Sequence, residues 1–190
     1  MTVVAKDIED RTVWNRRLCA SDRSAFTALF HALYPDLRWY ACELTGDEAV
    51  AEDLVQEAFI RLWDNHASID PERSVRAYLY VTVRNRAFNH QRDAMTRKKL
   101  VAAMEDPPSP MPPDEPLRAG QLGRYIRAWI DQLPERRREA FELSRFCGLS
   151  HQEIAAVMGL SLHTVEKHIT RALSHLRQRL VHVDPDLLKP

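Results

Sequence analysis

Cysteine is scarce in this chain of 190 residues, and the three present, Cys19, Cys42 and Cys147, are far apart and odd in number. That excludes a disulfide-framed secreted fold and points to reduced thiols, with Cys147 expected to be buried and inert. No apolar run opens the chain: MTVVAKDIED lacks the core of a signal peptide or a membrane span, so the protein is expected in the cytoplasm. Net charge is lacking too, since 27 Lys and Arg balance 27 Asp and Glu, which rules out a globally basic nucleic-acid binder. Catalytic signatures are missing. The eight histidines show no H-E-x-x-H and no Cys/His ligand spacing, and His168 and His175, two turns apart, have no third ligand nearby. There is no G-x-S-x-G, P-loop or dinucleotide fingerprint, and the five glycines (Gly46, Gly120, Gly123, Gly148, Gly159) fall mostly at expected helix ends. An enzyme is therefore not expected, nor a metal, a cofactor or a small-molecule substrate.

What is present is helical patterning, with no strand-like alternation in the first hundred or so residues. Ala25, Phe26, Leu29, Phe30 and Leu33 form one stripe, which Pro35 is expected to end or kink; Leu37, Tyr40, Ala41 and Leu44 continue it. Thr45 and Glu48 have capping-box spacing before the next helix. There Val50, Ala51, Leu54, Val55, Ala58, Phe59, Leu62 and Trp63 fall on one side. Glu52, Asp53, Gln56, Glu57, Ile60 and Asp64 fall on the other, an acidic face with one apolar residue that suggests docking. Asn65 to Ser74, containing Asp70-Pro71, reads as a loop. The helix after it interleaves Arg76, Arg84, Arg86 and Arg92 with Tyr78, Tyr80 and Phe88. That mixture suits single-stranded DNA, because arginines track phosphates while rings stack on bases; core packing of Tyr78, Leu79 and Phe88 is the equal alternative.

Charge and proline are unevenly spread. Glu43 to Glu57 holds six acids and no base, whereas Arg73 to Lys99 holds eight bases against Asp93 alone, which suggests two partners of opposite charge. Six of the eleven prolines lie between Pro107 and Pro116, so this stretch is expected to be an extended, solvated connector.

The last third has the punctuation of a helix-turn-helix. Ser150 and Glu153 have the S-x-x-E spacing of a capping box, Gly159 supplies a left-handed stop, and Ser161 is placed to cap the next helix. In that helix Val165, Ile169, Ala172, Leu173, Leu176 and Leu180 recur at helical spacing as a buried stripe. His163, Thr164, Lys167, His168, Thr170 and Arg171 lie opposite, side chains able to donate to phosphates and base edges.

Three segments in this order resemble the extracytoplasmic-function (ECF) sigma factors, the small two-domain sigma subunits of bacterial RNA polymerase. AEDLVQEAFIRLW (51–63) is similar to the family's core-binding helix and RAYLYVTVRNRAFNHQR (76–92) to its promoter-melting helix. LPERRREAFELSRFCGLSHQEIA (133–155) with LSLHTVEKHITRAL (160–173) is similar to its upstream-element reader. The resemblance covers about Ser24 to Leu180 and implies an all-α protein of two small helical domains. These are an N-terminal bundle over 20–95 and a C-terminal helix-turn-helix over 121–183, joined by a proline-rich linker over 96–120. It implies that Glu52, Asp53, Gln56, Glu57 and Ile60 dock on core RNA polymerase. It implies that the Asn65–Ser74 loop, with Asn65, Ser68 and Ser74, holds a base flipped from the downstream promoter element. Arg76, Tyr78, Tyr80, Arg84, Asn85 and Arg92 would then line the melted strand. Upstream promoter DNA would fall to Ser161, His163, Thr164, Lys167, His168 and Arg171. An anti-sigma factor is the implied regulator. TVEKHITRAL and LSHQEIAAVMGLS look most like the iron-starvation branch, whose regulators span the membrane.

Other readings make distinct demands. TVEKHI also resembles the DNA-binding domain of response regulators, but a receiver domain would need alternating strands and helices in the first hundred or so residues. A pure interaction module would leave the groove-reading helix unexplained.

Overall fold

The computed structural model describes residues 11–70, 73–101 and 121–181. The chain divides into two compact units, Met1–Pro110 and Met111–Pro190. Among the described residues the regular structure is helical and contains no strand, so the alternating elements of a receiver domain are not found there.

In the first unit α1 (Arg11–Cys19), α2 (Arg23–Thr45), α3 (Glu48–Asp64) and α4 (Val75–Val101) follow one another, with a short 3-10 turn at His66–Ser68. Helices α2, α3 and α4 each pack on the other two. The seams are lined by alanines, Ala25, Ala41, Ala51, Ala58, Ala77 and Ala87, all buried, with Leu37, Val55, Leu62, Leu79 and Val83 filling the spaces between. Small residues there let the backbones approach, so a unit of this size still closes a dense core.

Two local expectations are corrected. Of the two outcomes expected at Pro35, ending the helix does not occur: α2 runs through it to Thr45. Pro35 and His31 are both exposed, so the His31 carbonyl that loses its helical partner faces water, and packing of the flanking turns carries the helix on. The cap of α3 is Asp47 rather than Thr45: Asp47 is extended and its Oδ1 accepts from Val50 N at 3.1 Å. Thr45 still belongs to α2, its hydroxyl donating to Ala41 O at 2.9 Å, and Gly46 with φ 69° makes the reversal between. α1 lies ahead of the expected domain start at 20, and α4 continues past 95 into the expected linker. The Pro107–Pro116 connector lies outside the described residues.

The second unit contains α5 (Gln121–Asp131), α6 (Glu135–Arg145), α7 (His151–Met158) and α8 (Leu162–Val181). The capping box forms as its spacing predicts: Glu153 N donates to Ser150 Oγ, and Ser150 N donates to the buried Glu153 carboxylate at 2.9 Å. Gly159 ends α7 at φ 64°, and Ser161 Oγ accepts from Thr164 N at 3.2 Å to start α8. One face of α8 is buried through Val165, Ile169, Ala172 and Leu176. Trp129 and Ile130 of α5, with Leu133 and Phe141, close over its second half. The three cysteines are free thiols, and Cys147 is buried.

Ser150→Ala removes an N-cap and leaves the buried Glu153 carboxylate without one of its donors. The full-length variant should lose about 1 kcal/mol of protection in the α7 amides by hydrogen exchange, with α2–α4 unchanged. Unaltered exchange in α7 would contradict the role given to this cap.

Candidate binding surfaces

The acidic face of α3 is largely committed to partners within its own unit. Arg38 of α2 binds Glu52 at 2.8 Å and also pairs with Glu48. Glu57 pairs with Arg86 of α4 and lies 3.6 Å from Arg61. Asp53 and Gln56 remain exposed, and Ile60 is 59% exposed. Beside them opens a cleft of about 490 Å³ lined by Arg23, Phe26, Phe30, Gln56, Phe59, Ile60 and Trp63. Phe26, Phe30 and Trp63, placed on the apolar stripes of their helices, are only half-buried. Their rings are held by each other: Phe26 meets Trp63 at 5.0 Å and Phe30 meets Phe59 at 4.8 Å. An aromatic cleft edged by Gln56 and Ile60, with Asp53 exposed on the same helix, suits an amphipathic partner helix with basic residues along one side.

The basic run of α4 is also partly internal. Besides Arg86, the half-buried Arg76 sits near Asp36, whose carboxyl is pushed up by burial and partly pulled back by Arg76. Tyr80 is corrected outright: it is fully buried, its ring 5.4 Å from that of Tyr40, so it presents no face for a base. Tyr78 is 38% exposed, and with Asn85 and Arg92 it forms a row at intervals of seven along one side of α4. Thr82 and Asn89 fall between them on the same side, and neither was singled out from sequence. Arg84 lies over the Phe88 ring at 4.6 Å, a cation–π contact that holds its guanidinium flat against the helix.

The loop before α4 uses its own polar groups to hold its shape. Asn65 Nδ2 donates to Arg61 O at 2.8 Å, Ser68 Oγ donates to Asn65 O at 2.8 Å, and Ser74 Oγ accepts from Ala77 N at 3.1 Å at the start of α4. Asn65 and Ser68 remain exposed, and Ser74 is half-buried.

On α8, Ser161, His163, Lys167 and Arg171 are exposed, with Thr164 and His168 half-buried between them. Burial lowers the His168 pKa, and Arg137, Arg136, Arg171 and Lys167 lower it further. Two of those cations come from α6, so Arg136 and Arg137 of LPERRREAF share one basic surface with the recognition helix. Sequence periodicity could not show this, because the two helices are separate segments with α7 between them and only packing brings them together. Among the described residues no three His, Cys, Asp or Glu side chains are grouped to hold a metal, and no helix is long and apolar enough to cross a membrane.

Residues 29–97 match the family description "Sigma-70 region 2" and residues 123–176 match "Sigma-70, region 4". The chain is 34% identical over 163 residues to the ECF RNA polymerase sigma factor SigL of Mycobacterium tuberculosis, covering 83% of this chain and 92% of that one. It is 31% identical over 154 residues to the ECF RNA polymerase sigma factor EcfG of Rhodopseudomonas palustris, covering 80% and 83%. Two solved structures share the fold. They are the sigma factor RpoE with the anti-sigma factor NepR from Bartonella quintana (TM-score 0.64, 23% identity, 84% and 98% covered) and CnrH with the cytosolic domain of CnrY (TM-score 0.61, 24% identity, 91% and 98% covered).

His168 has a testable consequence. An unfolded chain protonates this ring as pH falls through about 6.5, whereas the folded ring, with its pKa lowered, does so only further down. The unfolded state therefore binds more protons in that window, and stability falls as pH drops through it. In thermal melts of the full chain from about pH 8 to about pH 5, His168→Asn should shrink this loss. An identical slope in the variant would show that His168 does not contribute.

Proposed function

We propose a role for each exposed face from one premise: this chain belongs to the ECF family of RNA polymerase sigma factors. As such it directs promoter-specific initiation by the core polymerase, which carries out the chemistry of RNA synthesis. The observation that carries this conclusion is that regions 2 and 4 occur in order in one chain, each presenting an exposed polar helix face.

In our reading Asp53, Gln56 and Ile60, with the aromatic cleft behind them, dock on the core polymerase. Glu52 and Glu57 contribute through the arginines they hold. The exposed row Tyr78, Asn85 and Arg92 follows the melted strand, with Arg84 and Arg76 behind it. The 65–74 loop receives a base of the downstream element, and flipping that base costs a few kcal/mol that the loop's polar groups must offset. Ser161, His163, Thr164, Lys167, His168 and Arg171 read the upstream element, with Arg136 and Arg137 on the adjoining phosphates. The protein acts in the cytoplasm.

We also propose regulation by an anti-sigma factor, which the fold shared with the NepR-bound RpoE supports. The likeness of TVEKHITRAL and LSHQEIAAVMGLS to the iron-starvation branch supports a membrane-spanning regulator and a role in iron uptake.

Run-off transcription with reconstituted core polymerase tests the main reading. The full chain should confer initiation at promoters that core alone ignores, and failure to do so would overturn it. Asp53→Lys with Ile60→Ser should lower affinity for core by at least about tenfold while the helical fold persists. Glu57 is a poor choice for this test, because reversing its charge sets it against Arg86 inside the unit. Lys167→Ala and Arg171→Ala should each cost about 1–3 kcal/mol where they contact a base, relaxing specificity at one position. Arg136→Ala should instead weaken all sequences alike and lower the salt slope by about one. Wild-type promoter binding by all three variants would refute the assignment of this surface.

A further inference from the structure

The loop assigned above to the downstream element is held in place from outside itself, by α1 and the turn that follows it. The inference drawn from this rests on that assignment. Asn15 of α1, only 5% exposed, donates its Nδ2 to Arg73 O at 2.6 Å. The Cys19 thiol donates to Ile69 O at 3.3 Å. Ser21 Oγ lies 2.7 Å from His66 Nε2. The direction of that last bond follows from the other side of the ring. His66 Nδ1 approaches Trp63 O, and a carbonyl can only accept, so Nδ1 carries the proton and, in the neutral ring, Nε2 accepts from the Ser21 hydroxyl. The imidazole also stacks on Trp63, with centroids 5.0 Å apart and planes at 18°.

These contacts reach the loop near its start, middle and end, at residues 66, 69 and 73. Its opposite side, with Asn65, Ala67, Ser68 and Asp70, is exposed. The brace therefore lies behind a surface that faces outward. Ser21 has φ 60°, a left-handed conformation unusual for a residue with a Cβ, and it is the described non-glycine residue that does so. That backbone closes α1 in a Schellman turn, with Asp22 N donating to Arg17 O at 3.0 Å and Ser21 N to Leu18 O at 2.9 Å, and the turn holds the Ser21 hydroxyl against a loop 45 residues away.

We propose that Asn15, Cys19 and Ser21 are positioning residues for reading the downstream promoter element. They preset the backbone at 66–70 and at 73 so that a flipped base meets an ordered site and the cost of ordering is met before DNA arrives. The α2–α3–α4 core does not include them, so the loop can be loosened while the core stays intact.

The test uses holoenzyme made from core polymerase and the full chain. The DNA is a promoter found by sequencing transcripts that this holoenzyme makes from genomic DNA, with each downstream- and upstream-element position changed to the other bases. In the Asn15→Ala/Ser21→Ala double variant, discrimination at the downstream element should fall roughly tenfold, the effect of losing two hydrogen bonds. Upstream discrimination and affinity for core should stay as in wild type. Amide exchange should quicken over 66–73 and not in α2, α3 or α4. Ser21→Asn, which tolerates a left-handed backbone and keeps a donor, should behave as wild type, whereas Ser21→Ala should not. Unchanged downstream discrimination in the double variant would overturn the inference, and so would an equal loss at both elements. A wild-type holoenzyme indifferent to downstream-element changes would instead overturn the assignment of the loop, and the inference with it.

Discussion

The mutual packing of α2, α3 and α4 is the constraint on which the first unit depends. Three helices that each bury a stripe against the other two have little freedom to rotate, and the alanines along the seams remove what remains. Once the stripes are fixed, so are the outward faces. Asp53, Gln56 and Ile60 on α3, and Tyr78, Asn85 and Arg92 on α4, are outside because Ala51, Val55 and Ala58, and Ala77, Leu79 and Val83, are inside. The outward chemistry of both helices is the complement of their core.

Ion pairing then thins the charge on those faces. Arg38, Arg76 and Arg86 lie against acids of neighbouring helices, so neither the acidic run nor the basic run reaches the surface at full strength. Pairs of this kind, part-exposed, contribute modestly to stability. Their larger effect is selection: they leave a few uncommitted groups at defined places, Asp53 and Gln56 among them.

Much of this was legible in the sequence. The capping box at Ser150, the left-handed stop at Gly159 and the buried stripe of α8 follow from local rules, because each is set by residues within one or two turns. The helical character of the N-terminal lobe and of α8 followed from periodicity, and the all-α fold as a whole from the family resemblance. What was not legible required contacts between distant segments: Arg86 meets Glu57 across 29 residues, and Asn15 reaches Arg73 across 58. Depth was equally hidden. The stripe with Phe26 and Phe30 and the one with Trp63 showed which side of their helices those rings occupy, and only the packed structure shows that they edge an open cleft. Tyr80 is different, because residues two apart on a helix point about 200° from each other, so Tyr78 and Tyr80 could not both have faced one strand. Pro35 shows a local rule yielding to tertiary packing.

The two halves of α8 are held by different neighbours. Ala172 and Leu176 are clasped by Trp129 and Ile130 of α5 and by Phe141, while the polar groups that would touch DNA begin near His163. At 1.5 Å of rise per residue the two ends of this span are roughly 20 Å apart. Buried Val165 and Ile169 seat the leading half separately. An angular play of about 3° between the two seats would sweep the far tip through roughly 1 Å, enough to stretch a hydrogen bond out of range. Fidelity at the leading end of α8 is thus set by both seats, the grip of tryptophan and isoleucine at the rear and the burial of valine and isoleucine beneath the tip.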